Sequence, residues 1–205
     1  VVEAGFTVAM PLLVGTTGKA PSLPYLASSL TRVCISREFT TWALDRTSPV
    51  VAWLRALARS LHLEVGGPGV GAVGMCFSGG FALGMMVDDV MVAPVLSQPS
   101  LPMPLAPLPR RRAAQAADLN LAPDDRQMVA RRAAEGCQVL GLRYTGDSLV
   151  GTRFDSLHDL LGDSFIAVEL PSRSKRDHSV LTEERDDESV ARVLAFLQEK
   201  LLLTA

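Results

Sequence analysis

Cysteine is scarce in this chain of 205 residues. The three present, Cys34, Cys76 and Cys137, are too few and too odd in number for a disulfide scaffold. They read as reduced thiols of a cytoplasmic protein. Excess charge is missing too: 20 lysines and arginines against 22 acidic residues leave a net charge of −2, which argues against a broad nucleic-acid surface. The densest basic cluster, Arg110-Arg111-Arg112, has no aromatic neighbours to stack on bases and reads as a solvated helix face. No charged segment leading into an apolar core and a cleavage site marks a signal peptide. The chain starts at Val1 rather than Met, so further N-terminal sequence is expected ahead of it. Histidine is limited to His62, His158 and His178, which narrows the search for a base.

Long uncharged runs are also rare. The main one extends from Gly66 to Val87 and is long enough to span a bilayer. Its first part, GGPGVGAVGMCFSGG, is too rich in glycine for a membrane helix, and Pro68 sits near its start. It reads instead as a glycine-rich turn, a short buried strand over Val70–Met75 and a helix over about 78–87. The junction falls on Cys76, and no membrane partner is expected.

What is present is ordinary globular material. Hydrophobic residues make up 48%, enough for one sizeable core. Strand-like runs are read over residues 6–13, 32–36, 89–96, 138–143 and 164–170. Helical spacing is read over 24–30, from Thr47-Ser48-Pro49 onward with a hydroxyl cap, and over 110–117, Pro123–Ala134, Arg153–Leu161 and 184–202. This alternation implies an α/β protein with a mostly parallel sheet and helices on both faces. Residues 1–205 form a single domain, and a proline-rich, cap-like excursion at about 97–123 interrupts the alternation.

A strand that turns sharply into a helix exposes one residue at its tip, beside unpaired amides that favour a thiolate. Gly74, Ser78, Gly79 and Gly80 are small enough for such a turn, and GMCFSGG then presents Cys76 as a nucleophile. The bland alternative is a buried, inert cysteine beside packing glycines. A dinucleotide site is set aside, because GGPGVG precedes the strand rather than following it. A nucleophile of this kind is followed in the chain by an acid and then a histidine. His178, in the loop after the strand at 164–170, suits the base; Asp147, after the strand at 138–143, suits the acid. Asp155 is the rival acid, and each of these residues also has an unremarkable reading, as a solvated histidine or a turn aspartate.

GMCFSGG at 74–80, YTGD at 144–147 and DHS at 177–179 resemble the dienelactone hydrolase family of the α/β-hydrolase fold. The resemblance covers nearly the whole chain and implies Cys76 as nucleophile, Asp147 as orienting acid and His178 as base. It implies an oxyanion hole from the amides of Phe77 and Leu13, with Arg46 as a candidate for holding a substrate carboxylate. Three departures stand out. Leu12 occupies the place of the family glutamate that pairs with the resting thiol, Ser78 replaces a glycine, and the family's first strands are missing.

The expected activity is hydrolysis of an ester or lactone through an acyl-thioester, without metal or organic cofactor, by a monomer acting on a small molecule. Two rivals remain. One is a non-catalytic ligand binder on the same fold, motivated by Leu12. The other is a thiol redox protein, which needs a resolving cysteine; Cys34 and Cys137 both read as core strand residues far from Cys76.

Overall fold

The computed structural model describes residues 1–15, 36–174 and 177–202. At its centre are four short strands: β1 (Val70–Met75), β2 (Met91–Ser97), β3 (Val139–Tyr144) and β4 (Phe165–Leu170). They lie in chain order, β1-β2-β3-β4, and every pairing is parallel. Parallel neighbours need a crossover between them, and the intervening helices supply it. These are α1 (Val50–Val65), α2 (Gly79–Met85), α3 (Pro109–Ala117), α4 (Pro123–Ala134), α5 (Arg153–Leu161) and α6 (Asp187–Leu201).

The period-two alternation of the strands divides the core between two faces. Leu140, Leu142, Ile166 and Val168 pack with Val193, Phe196 and Leu197 of α6. Val139, Phe165 and Ala167 point the other way, to Leu54, Phe81, Val129, Phe154 and Leu157 from α1, α2, α4 and α5. Helices therefore cover both faces, as a parallel sheet requires. A register shift in β2 pairs Val70 with Met91 but Gly71 with Ala93. It sends Ala93 to the α6 face and Met91 to the opposite one.

The strand expected at 6–13 is not formed. Those residues are irregular, with Met10 90% and Leu12 58% exposed. An apolar run becomes a strand only where a sheet edge satisfies its backbone, and Pro11 removes one donor. Phe6 and Leu13 alone are tucked against the core. The helix expected at 24–30 lies outside the described residues, as does the strand at 32–36 apart from Ser36. The hydroxyl cap on α1 is also absent: Pro49 holds the cap position without a side-chain bond. The Ser48 hydroxyl lies 2.8 Å from Phe39 O and from Asn120 Oδ1, and the Thr47 hydroxyl accepts Ala122 N–H. Both hydroxyls tie the α1 entrance to the chain before α4. The helix read at 78–87 divides into a 3-10 turn, Cys76–Ser78, followed by α2.

The parallel arrangement brings the C-terminal ends of all four strands to one edge of the sheet. The excursion leaves from that edge after β2, runs irregularly over 98–108 and returns through α3. No helix among the described residues is long and apolar enough to cross a membrane.

Phe154 is fully buried and meets Phe165 edge-on at 5.2 Å. Phe154→Ala is expected to cost about 3–5 kcal/mol of stability. Leu63→Ala, at a site 86% exposed, should stay within about 0.5 kcal/mol of the parent. Urea denaturation followed by circular dichroism measures both.

Candidate active site

The turn after β1 is closed by groups that tolerate no bulk. A side chain on Gly74 would place its Cβ 2.3 Å from Ser78 O, and one on Gly79 would reach 2.6 Å from Pro99 Cα. Ser78 braces the same turn, its hydroxyl donating to Met75 O at 2.9 Å and accepting Met75 N–H at 3.1 Å. Within these limits Cys76 adopts φ +54, a left-handed conformation that costs a non-glycine residue about 1–2 kcal/mol. Ser100 N–H donates to Cys76 O at 3.1 Å. The thiol-bearing residue is half-buried, and the amide of Phe77 sits in the first turn of the helical run, where amides lack intrahelical acceptors.

Asp147 and His178 meet beyond the ends of β3 and β4. His178 Nδ1 lies 2.6 Å from Asp147 Oδ2. An ionised carboxylate only accepts, so Nδ1 carries the proton. The other carboxylate oxygen, Oδ1, accepts Leu149 N–H at 2.9 Å, and Asp147 is 7% exposed. The two loops are fastened to each other: Gly146 N–H donates to Ser172 Oγ at 2.7 Å, and Thr145 N–H donates to Leu170 O at 2.9 Å. Gly146 has no room for a side chain, since its Cβ would lie 2.8 Å from Ser172 Oγ.

The histidine loop is held from below. Asp177 accepts Ser174 N–H at 2.9 Å and the Ser174 hydroxyl at 2.7 Å. Glu184 accepts Ser179 N–H at 2.8 Å, and its carbonyl accepts the Tyr144 hydroxyl. Burial works against a charged His178, but the hydrogen bond to Asp147 and the thiol of Cys76 outweigh it and raise its pKa from 6.5 to about 10. Its Nε2 is buried and makes no hydrogen bond at this geometry.

The remaining candidates are more scattered. Leu13 is half-buried against the same core cluster as Phe77, although no strand leads into it. Leu12 is exposed. Arg46 is exposed, and its backbone carbonyl accepts Asn120 Nδ2 at 3.1 Å. Asp155 lies exposed on α5, away from the acid position. Cys137 is not a strand residue: it precedes β3, with its thiol 3.8 Å from Met91 O, and burial pushes its pKa up. Cys34 lies outside the described residues. His158 packs edge-on against Phe165 at 4.8 Å, and His62 lies in the last turn of α1.

Sequence reasoning missed Ser100, Ser172 and Glu184. The first contributes only a backbone amide, which has no residue signature. Glu184 carried a faint signal, an acid shortly after the histidine in an otherwise polar loop. Two open depressions, of about 360 and 290 Å³, are lined from the excursion and its neighbours, by Trp42, Leu105, Leu108 and Arg111 and by Asp45, Asp118 and Arg126. Cys76, Asp147 and His178 line neither.

No family model, curated protein or solved structure matches the chain significantly. What the fold and site define is therefore an α/β protein with a parallel sheet, at one edge of which a cysteine on a strained turn is joined by a histidine–aspartate pair.

Asp147→Asn is expected to bring the His178 pKa down toward about 6.5, read by NMR titration of the imidazole. Because the folded pKa of about 10 exceeds the unfolded one, the stabilisation from this charged ring is present below about pH 6.5 and disappears as pH rises through about 10. The stability gap between wild type and His178→Gln should shrink over that interval.

Proposed function

We propose that the chain is a hydrolase of esters or lactones, on an α/β-hydrolase fold, using Cys76, His178 and Asp147. The observation that carries this reading is the combination at one sheet edge: Cys76 at φ +54 on the strand-to-helix turn and the 2.6 Å His178–Asp147 pair. A left-handed non-glycine residue of this kind is strain that functional sites retain. The likeness of GMCFSGG, YTGD and DHS to dienelactone hydrolases agrees with it.

The chemistry follows from the groups. His178 holds the proton drawn from Cys76, and Asp147 fixes the ring and stabilises its positive form. The thiolate sulfur attacks the substrate carbonyl, forming a C–S bond and an oxyanion. The amides of Phe77 and Leu13 receive that oxyanion, each donor contributing about 3 kcal/mol. Collapse breaks the C–O bond, and His178 gives its proton to the departing alkoxide. Water, deprotonated by His178, then attacks the acyl-thioester, and the carboxylic acid leaves as the thiol is restored. In a lactone the alcohol and the acid stay in one molecule. The excursion at about 97–123 meets Cys76 through the Ser100 amide, which supports a role for it in shaping the substrate side.

Leu12, exposed and without a carboxylate where the resembled family has a glutamate, favours a second reading, a ligand-binding protein without turnover. Stopped-flow hydrolysis of p-nitrophenyl acetate separates the two. The hydrolase reading expects a nitrophenolate burst that disappears in Cys76→Ala and acylation slowed by about 10²–10⁴-fold in His178→Gln. No burst from wild-type protein whose Cys76 still alkylates with iodoacetamide overturns it in favour of the binder.

A further inference from the structure

We propose that Arg153 is the positioning residue of the acid: its guanidinium grips the carbonyls of Leu149 and Val150 and thereby fixes the backbone at Leu149, whose N–H holds Asp147 in place against His178. This inference rests on the reading of Cys76, His178 and Asp147 given above.

Arg153 is in an unfavourable place. It opens α5, at the positive end of that helix, and it is 1% exposed. Burial drags its pKa down to about 10, opposed by the charges of Asp118 and Asp147, so it remains a cation at neutral pH. An apolar residue of similar size would fill such a space at no greater expense in stability. A buried cation at that position therefore needs a reason beyond packing.

Its contacts supply one. All its described hydrogen bonds run to main-chain carbonyls. Nη1 reaches Leu149 O at 2.7 Å and Val150 O at 2.9 Å. Nη2 reaches Gln115 O at 2.7 Å and also Pro102 O. Nε is shared between Asp118 O at 2.9 Å and Leu101 O at 3.2 Å. The planar fork of arginine is the one side chain that can serve several acceptors in fixed directions.

Leu149 is the link to the chemistry. Its carbonyl is held by Arg153, and its N–H donates to Asp147 Oδ1 at 2.9 Å. The partner oxygen Oδ2 is the one that faces His178. The two bonds lie on consecutive peptides joined at the Leu149 Cα, so rotation of the backbone there turns the carboxylate. The loop has a second seat on α3, where Thr152 N–H donates to Ala116 O at 3.0 Å and Gly151, at φ +60, lies close to Ala116. Arg153 also grips Leu101 and Pro102, just past Ser100, whose amide binds Cys76 O. One side chain thus ties the acid loop to the segment that touches the nucleophile turn.

The test compares Arg153→Lys and Arg153→Met with wild type. Lysine keeps the charge but offers three donors from one point instead of a fork. Folding is checked by circular dichroism, and Arg153→Lys serves if Arg153→Met does not fold. The first readout needs no turnover: the NMR titration of His178. The second is the split of kcat from KM for p-nitrophenyl acetate. In the folded variants the His178 pKa should fall toward that of Asp147→Asn, and kcat should drop by about 10–100-fold with KM little changed. In an Asp147→Asn background the Arg153 substitution should then add almost nothing, because the two act through one carboxylate. A folded Arg153 variant with an unchanged His178 titration overturns the proposal, as does a full additional loss in the Asp147→Asn background. Wild-type protein that shows no burst sinks the hydrolase reading alone, while the His178 titration still decides the role of Arg153.

Discussion

The molecule turns on the space that Gly74 leaves empty. Because no Cβ stands there, the carbonyl of Ser78 can fold back over the strand end, 2.3 Å from where that atom would be. The turn closes, Cys76 is forced to a left-handed φ, and Gly79 is brought against Pro99. That contact seats the start of the excursion, and the Ser100 amide then binds Cys76 O. The position of the thiol and the path of the chain over the sheet edge are therefore one constraint. Exchange of a single small residue would disturb both together.

Around this turn the site is braced mostly by main chain. Ser172 takes an amide from the acid loop, Leu170 a second, and Ala116 a third through Thr152. The second and third of these bonds are indifferent to side-chain identity, so they hold their loops at little cost in sequence. The side chains that take part are few: Ser78, Ser172, Asp177, Glu184. The imidazole is left with one nitrogen held by a carboxylate and the other without a hydrogen bond.

How much of this was legible in the sequence depends on the kind of signal. The 3.6-residue pattern marked α4 and α5 to the residue, because burial of one helix face writes itself into the order of apolar residues; β1 was marked by the glycine-rich turn before it, and it proves to be an edge strand with Val73 and Met75 exposed. The small residues of GMCFSGG marked the turn, and chain order marked Asp147 and His178. The run at 6–13 misled, since an apolar pattern cannot say whether a neighbouring strand is there to pair. The hydroxyls of Thr47 and Ser48 looked like caps but bond across to residues 120–125, a long-range choice that no local pattern reveals. Arg153 was visible only as the first residue of a helix. A guanidinium that binds six carbonyls has the same letter as one in solvent.

The coincidence of strand order with chain order has a consequence for synthesis. Each new strand can add beside the last without threading between earlier ones, and folding can follow the ribosome from the N-terminal side. The thiol turn is complete once β2 is in place, yet the imidazole arrives after β4, and α6, which seals the second core face, comes last. About half of the chain is made between Cys76 and His178, so the two sides of the candidate site are synthesised well apart and meet only after β4 has joined the sheet.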